Sequence, residues 1–212
     1  MFSSILKLIL RAVIFPCSNF DLLQNQMTSG IWTKSFLGLI VLSSAFALTS
    51  LVQAASGNFP GIPAILPLSL QNYFFWQSIL MIPWLVLSWV VVILFARTAL
   101  DLFRARPVSF RQLSVSLALS FYPFLFWLWI PHLLTAVFYL LGMSQKEWVD
   151  LLSRPGWFQT FYIAFIVLAM LSGWVSISVF MVKARWAKRR HSLLIAGLSY
   201  LLGCFLVLIF LR

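Results

Sequence analysis

Residues 73–96 read YFFWQSILMIPWLVLSWVVVILFA and carry no acidic or basic side chain; Arg97 ends the run. A bilayer core about 30 Å thick needs roughly 20 apolar residues of helix, so this stretch reads as a membrane span. Four more charge-free runs of spanning length lie around it, at 35–54, 112–145, 157–182 and 192–211. The first opens just after Lys34. Five spans is the simplest count. The expected fold is an all-α polytopic membrane bundle, with residues 1–34 as a cytoplasmic interfacial segment and 35–212 as the five-span domain.

The third run is the exception to an even pattern. As one straight helix, 112–145 would reach about 50 Å, well beyond the hydrocarbon thickness. It contains Pro123 and Pro131. Two readings stay open: one helix kinked at the prolines, or two shorter helices. Membrane helices tolerate proline because neighbouring groups re-satisfy the freed carbonyls.

Composition agrees with the spans. Of 212 residues 62% are hydrophobic and only 9% charged, with a mean hydropathy of +1.00. A soluble domain is about a quarter charged. Such a chain could not cover its surface with polar groups in water, which excludes an ordinary cytosolic enzyme, a DNA-binding domain and a disordered regulator. The groups that carry acid–base or metal chemistry are scarce: Asp21, Asp101, Glu147, Asp150, His132, His191, Cys17 and Cys204. The cysteines have no CxxC spacing. There is no HExxH, no pair of membrane aspartates and no phosphate-binding loop. We expect no enzyme activity, no catalytic residue, no cofactor and no metal.

The net charge of +11 has a topological explanation. Lys7, Arg11 and Lys34 precede the first span; Arg97, Arg104, Arg106 and Arg111 follow the second; Lys183, Arg185, Lys188, Arg189 and Arg190 follow the fourth. The alternate loops hold only Lys146, Arg154 and the terminal Arg212. The positive-inside rule then puts the N-terminus in the cytoplasm and the C-terminus outside. Nucleic acid is not an expected partner; membrane lipids and other integral membrane proteins are. The segment Lys183, Arg185, Lys188, Arg189, Arg190 is the candidate contact for anionic lipid or an acidic partner.

The N-terminal residues form an amphipathic pattern. On a helix Ser4, Lys7 and Arg11 make a polar stripe, with Ile5, Leu6, Leu8, Ile9, Ala12 and Val13 around it. That suggests a helix in the interface whose cations snorkel to water. Pro16 ends it, and Ser18 with Asp21 resembles a capping pair for a second short helix closed by Gly30. Lys34 and Val52-Gln53-Ala54 bracket an apolar run like a signal sequence, but the reading taken is a retained span. The loop 55–72, with Gly57, Pro60, Gly61, Pro63 and Pro67, is expected to rest on the outer interface or to re-enter the membrane.

Within the spans His132 is the one ionisable side chain of an acid–base type, and such a group is a functional candidate by default. It follows Pro131, whose freed carbonyls an imidazole could satisfy; a ligand contact or a pH-sensing role is the alternative. With Pro131, Pro123 and Tyr122 it forms the candidate ligand or partner contact. Ser172-Gly173 with His132 has the outline of a serine–histidine dyad, but Met170 stands where the protease element has its first glycine. Ala169, Gly173, Ser199 and Gly203 are instead candidate helix-packing residues, at spacings that let backbones approach closely.

The layout resembles the Yip1-domain family, in its bacterial branch. The resemblance rests on Phe15-Pro16, Phe20-Asp21-Leu22-Leu23, Phe110-Arg111-Gln112-Leu113 and the tyrosine–proline element Ser120-Phe121-Tyr122-Pro123. It implies a five-span membrane protein of the bacterial cytoplasmic membrane. The aspartate–leucine–tyrosine–glycine–proline element of eukaryotic members is missing, so their binding of small GTPases is not expected. Taken together, the sequence suggests a scaffold or accessory subunit of a membrane complex. The alternative is transport or handling of a lipid or small apolar solute.

Overall fold

The computed structural model describes residues 2–15, 29–58 and 70–211. Among the described residues there are seven α-helices and no strand: α1 (Phe2–Ile14), α2 (Ser29–Ala55), α3 (Tyr73–Leu102), α4 (Phe110–Leu140), α5 (Gln145–Ser153), α6 (Trp157–Ala184) and α7 (Arg189–Phe210). A single 3-10 turn, Leu70–Asn72, leads into α3. Five of the helices, α2, α3, α4, α6 and α7, are long and apolar enough to cross a membrane. A helix is the single-segment answer to hydrocarbon, because it pairs every backbone group within itself. The class is therefore a helical membrane bundle.

The long third run is one helix, α4, which ends before the run does. Its 31 residues begin at a capping box in which Ser109 and Gln112 satisfy each other's backbone N–H groups. It stops where Gly142 turns left-handed at φ 90 and the N–H of Met143 donates to the Phe138 carbonyl, 3.0 Å. Ser144 and Glu147 then form a second capping box that opens α5. That short helix was not expected from the sequence. Its start signal, Ser144 followed three residues later by Glu147, straddles the end of the charge-free run at Gln145.

α4 is the centre. From Leu113 to Leu125 every residue is buried. α2, α3, α7 and α6 follow one another around it, and α1 lies against α2 and α4. The inward face of α1 is Ile5, Ile9, Ala12 and Val13, while Leu6, Lys7, Leu10 and Arg11 face outward.

Two local expectations change. Lys34 lies inside α2, which starts at Ser29, so the expected boundary at 34/35 falls within a helix. A lysine in the opening turns can reach the interface along its own stem, so it need not mark the helix start. Gly30 likewise belongs to α2 rather than closing an earlier helix. The short helix expected around Ser18 and Asp21, and the loop prolines Pro60, Pro63 and Pro67, lie outside the described residues.

The ends of the spans sort by charge. The Arg106 N–H donates to the Trp186 carbonyl at 2.8 Å, and Phe103 stacks on His191 with ring centroids 4.6 Å apart. The connections after α3 and after α6 therefore meet at one end of the bundle, its basic end. At the far end Tyr73 Oη donates to the Phe210 carbonyl, 2.9 Å. The basic loops thus share one face, as their alternation along the chain requires.

Candidate functional site

Polar side chains cluster inside the spans, near the far end. Ser50 and Gln53 lie one turn apart on the inward face of α2; Gln77 comes from α3 and His132 from α4. Ser50, Gln53 and Gln77 are fully buried. The His132 ring packs on Phe46, centroids 5.5 Å apart.

The distances order the donors and acceptors. His132 Nε2 lies 3.2 Å from Ser50 Oγ, which is 2.8 Å from Gln77 Oε1 and 3.0 Å from the Phe46 carbonyl. Gln77 Nε2 donates to the Phe210 carbonyl at 2.6 Å. Gln53 Nε2 donates to the His132 carbonyl, 3.2 Å, and lies 3.5 Å from Nδ1. A hydroxyl has one proton, so the chain closes with the imidazole proton assigned to Nε2. Nε2–H then donates to Ser50, and Ser50 donates on to Gln77. The last acceptor matters: the final four carbonyls of a helix have no partner within it. Tyr73 and Gln77 of α3 fill that vacancy for α7 through Phe210. One connected set of hydrogen bonds thus ties α2, α3, α4 and α7.

The sequence candidates do not form one site. His132 belongs to this cluster, and its ring bonds to α2 rather than to the carbonyls that Pro131 frees. The hydroxyl of Thr135 donates to the Pro131 carbonyl, 2.9 Å. Tyr122 and Pro123, both buried, sit more than two turns nearer the basic end; there the Tyr122 hydroxyl donates to the Ser35 carbonyl, beneath Gly38. Lys183, Arg185, Lys188, Arg189 and Arg190 are all exposed at the basic end.

The packing candidates are consumed inside the chain. A Cβ on Gly173 would come within 2.7 Å of the Tyr200 ring and 2.8 Å of Phe124 Cβ; one on Gly203 would meet the Phe121 ring. Ala169 and Ser199 are fully buried, and Tyr200 Oη donates to the Met170 carbonyl at 2.7 Å. Ser172 Oγ donates to the carbonyl of Ala169, while His132 bonds to Ser50, so the two are not joined as a dyad. Among the described residues no three His, Cys, Asp or Glu side chains gather into a metal-holding group.

The sequence reading missed Ser50, Gln53 and Gln77. The available signal was an amide inside an otherwise apolar span, which is as much in need of a partner as an ionisable group. Trp148 of α5 anchors a separate aromatic cluster at the far end, with Phe158 at 5.4 Å and Tyr162 at 5.7 Å. There the Ser144 backbone N–H and hydroxyl hold the Glu147 carboxyl below its ordinary range.

Fold and site together define a helical membrane bundle cross-linked by buried hydrogen bonds. No family model, no curated protein and no solved structure matches the chain.

Proposed function

We propose that this chain is a non-enzymatic integral membrane protein that acts as a scaffold or accessory subunit of a membrane complex. The observation that carries the reading is the use made of the interior polar groups: Ser50, Gln53, Gln77 and His132 hold the helices to one another. The outward surface is left to large apolar side chains. α6 is the least buried of the five spans, with Phe161, Ile163, Val167, Leu168, Leu171 and Trp174 exposed. We orient the protein with its N-terminus inside and its C-terminus outside, as the basic loops favour, and assign it to the bacterial cytoplasmic membrane, as the resemblance to the Yip1-domain family implies. Kinship with the Yip1-domain family is part of the same proposal and rests on the Ser120–Pro123 element and the five spans.

A second reading, handling of a lipid or small apolar solute, has one observation in its favour. A groove of about 370 Å³ opens between α2 and α4, lined by Leu48, Val52, Trp129, Leu133 and Val137. The test is purification of the tagged full chain in nanodiscs, with a photo-crosslinking residue at Leu171 and mass spectrometry of what remains bound. A stoichiometric membrane protein captured at that position is the expected result. Recovery of a reproducible lipid or small molecule and no protein would replace the scaffold reading with the second one.

A further inference from the structure

The basic end brings together cations that are far apart in the chain. Arg104 and Arg106 come from the α3–α4 connection, Arg185 and Lys188 from the α6–α7 connection. The backbone bond from Arg106 to Trp186 and the stacking of Phe103 on His191 hold the connections side by side. All four cations are exposed, and none has an ion-pair partner among the described residues. Like charges held together repel, which makes the junction a place where an anion is stabilised.

The backbone there also departs from what the fold alone favours. Arg104 and Arg185 are left-handed, at φ 50 and φ 52. In the α3 cap the Ala105 N–H donates to the Leu100 carbonyl and the Arg104 N–H to the Asp101 carbonyl, both 3.0 Å. The far end of α4 makes the same pair of bonds with a glycine, Gly142, at the left-handed position. Glycine takes that conformation without steric cost and arginine does not. At the basic end the cap carries a cation in a position where backbone energetics prefer glycine. Strained residues of this kind cluster at ligand contacts.

Beside these cations two large apolar side chains are exposed, Leu102 at 77% and Phe110 at 40%, with Asp101, in the last turn of α3, the one carboxylate near them in the chain. Cations next to apolar surface at the end of a membrane span suit a ligand with a charged head and a hydrocarbon tail. We propose that the Arg104–Arg106 and Arg185–Lys188 junction is a binding site for the phosphate headgroup of an anionic phospholipid, with the arginine forks on the phosphate and the acyl chains along Leu102 and Phe110. This goes beyond the scaffold reading and is independent of it.

The test is native mass spectrometry of the full chain in detergent, titrated with phosphatidylglycerol or with phosphatidylcholine of identical acyl chains. Wild type should retain phosphatidylglycerol in preference. Arg106→Gln and Arg104→Gly should each weaken it roughly fivefold, the usual worth of one basic residue near a membrane surface. Arg104→Lys, which keeps the charge but not the fork, should lose less than Arg104→Gly, and Arg154→Gln at the far end should lose nothing. Because glycine suits the cap, Arg104→Gly should melt no lower than wild type, which separates lost charge from lost fold. Equal retention of the two lipids, or variants that bind like wild type, would overturn the site. Inorganic phosphate that competes at the lipid's own concentration would show a free-anion site and overturn the lipid assignment.

Discussion

α4 and α6 are similar in length, 31 and 28 residues, and both are strongly apolar. Their surroundings are opposite. Over its most apolar stretch α4 is 78% buried within the protein and α6 28%, although α6 has the higher mean hydropathy, 2.3 against 1.7. In water the more hydrophobic helix would be the core. In a membrane lipid tails are as apolar as leucine, so hydrophobicity no longer separates inside from outside. Small and polar residues do: Ser114, Ser116, Ser120 and Tyr122 of α4 face protein, while Val167, Leu168 and Leu171 of α6 face outward.

The largest effect should come where α6 itself has a glycine against its neighbours, at Gly173. Gly173→Leu would drive atoms into Tyr200 and Phe124 and is expected to destabilise the bundle by about 1–3 kcal/mol, seen as a lower melting temperature in detergent. Leu171→Ala, two residues earlier and 58% exposed, should stay within about 0.5 kcal/mol. Equal losses would mean that α6 has no inward stripe and the contrast is wrong.

On α4 the sensitive point is polar. His132→Ala leaves Ser50 and Gln53 without their imidazole partner, at an expected cost of about 1–2 kcal/mol in a denaturant titration. It should also speed hydrogen exchange at the α7 C-terminus, because Gln77 loses its orientation on Phe210. Unchanged exchange there would break the proposed link from α4 through α3 to α7.

The smallest effect concerns α5, which covers the far end of α6 through Trp148. Glu147 has a depressed folded pKa, so its contribution is present above its unfolded value and lost as pH falls through the folded one. Protection of the amides in 144–153, taken relative to the intrinsic exchange rate at each pH, should be level from neutrality down to about pH 5 and fall below the ordinary carboxylate value of 4.5. Glu147→Gln should remove the dependence. A pH response of equal size in the variant would assign it to another group.

Some of this was legible in the chain. Five runs without charge gave five long helices, because hydrocarbon leaves the backbone no partner but itself. The alternation of basic loops anticipated that they share one end. The small residues Gly173 and Gly203 were read as packing positions, and both lie against neighbouring helices. The polar cluster was legible only in part: His132 and the amides of Gln53 and Gln77 stand out in apolar runs, but which of them meet depends on which helices touch.

The sequence by itself determined that the chain is a membrane bundle, how many spans it has and which loops are basic. These follow from local hydropathy and charge, and need no knowledge of which helices touch. Tertiary structure alone decided that α4 is central, that His132 answers to α2, and that Arg106 meets Trp186. Each of those pairings joins residues tens of positions apart. In a uniformly apolar surrounding they depend on shape and on finding a partner for every polar group, and neither requirement is written in any one segment.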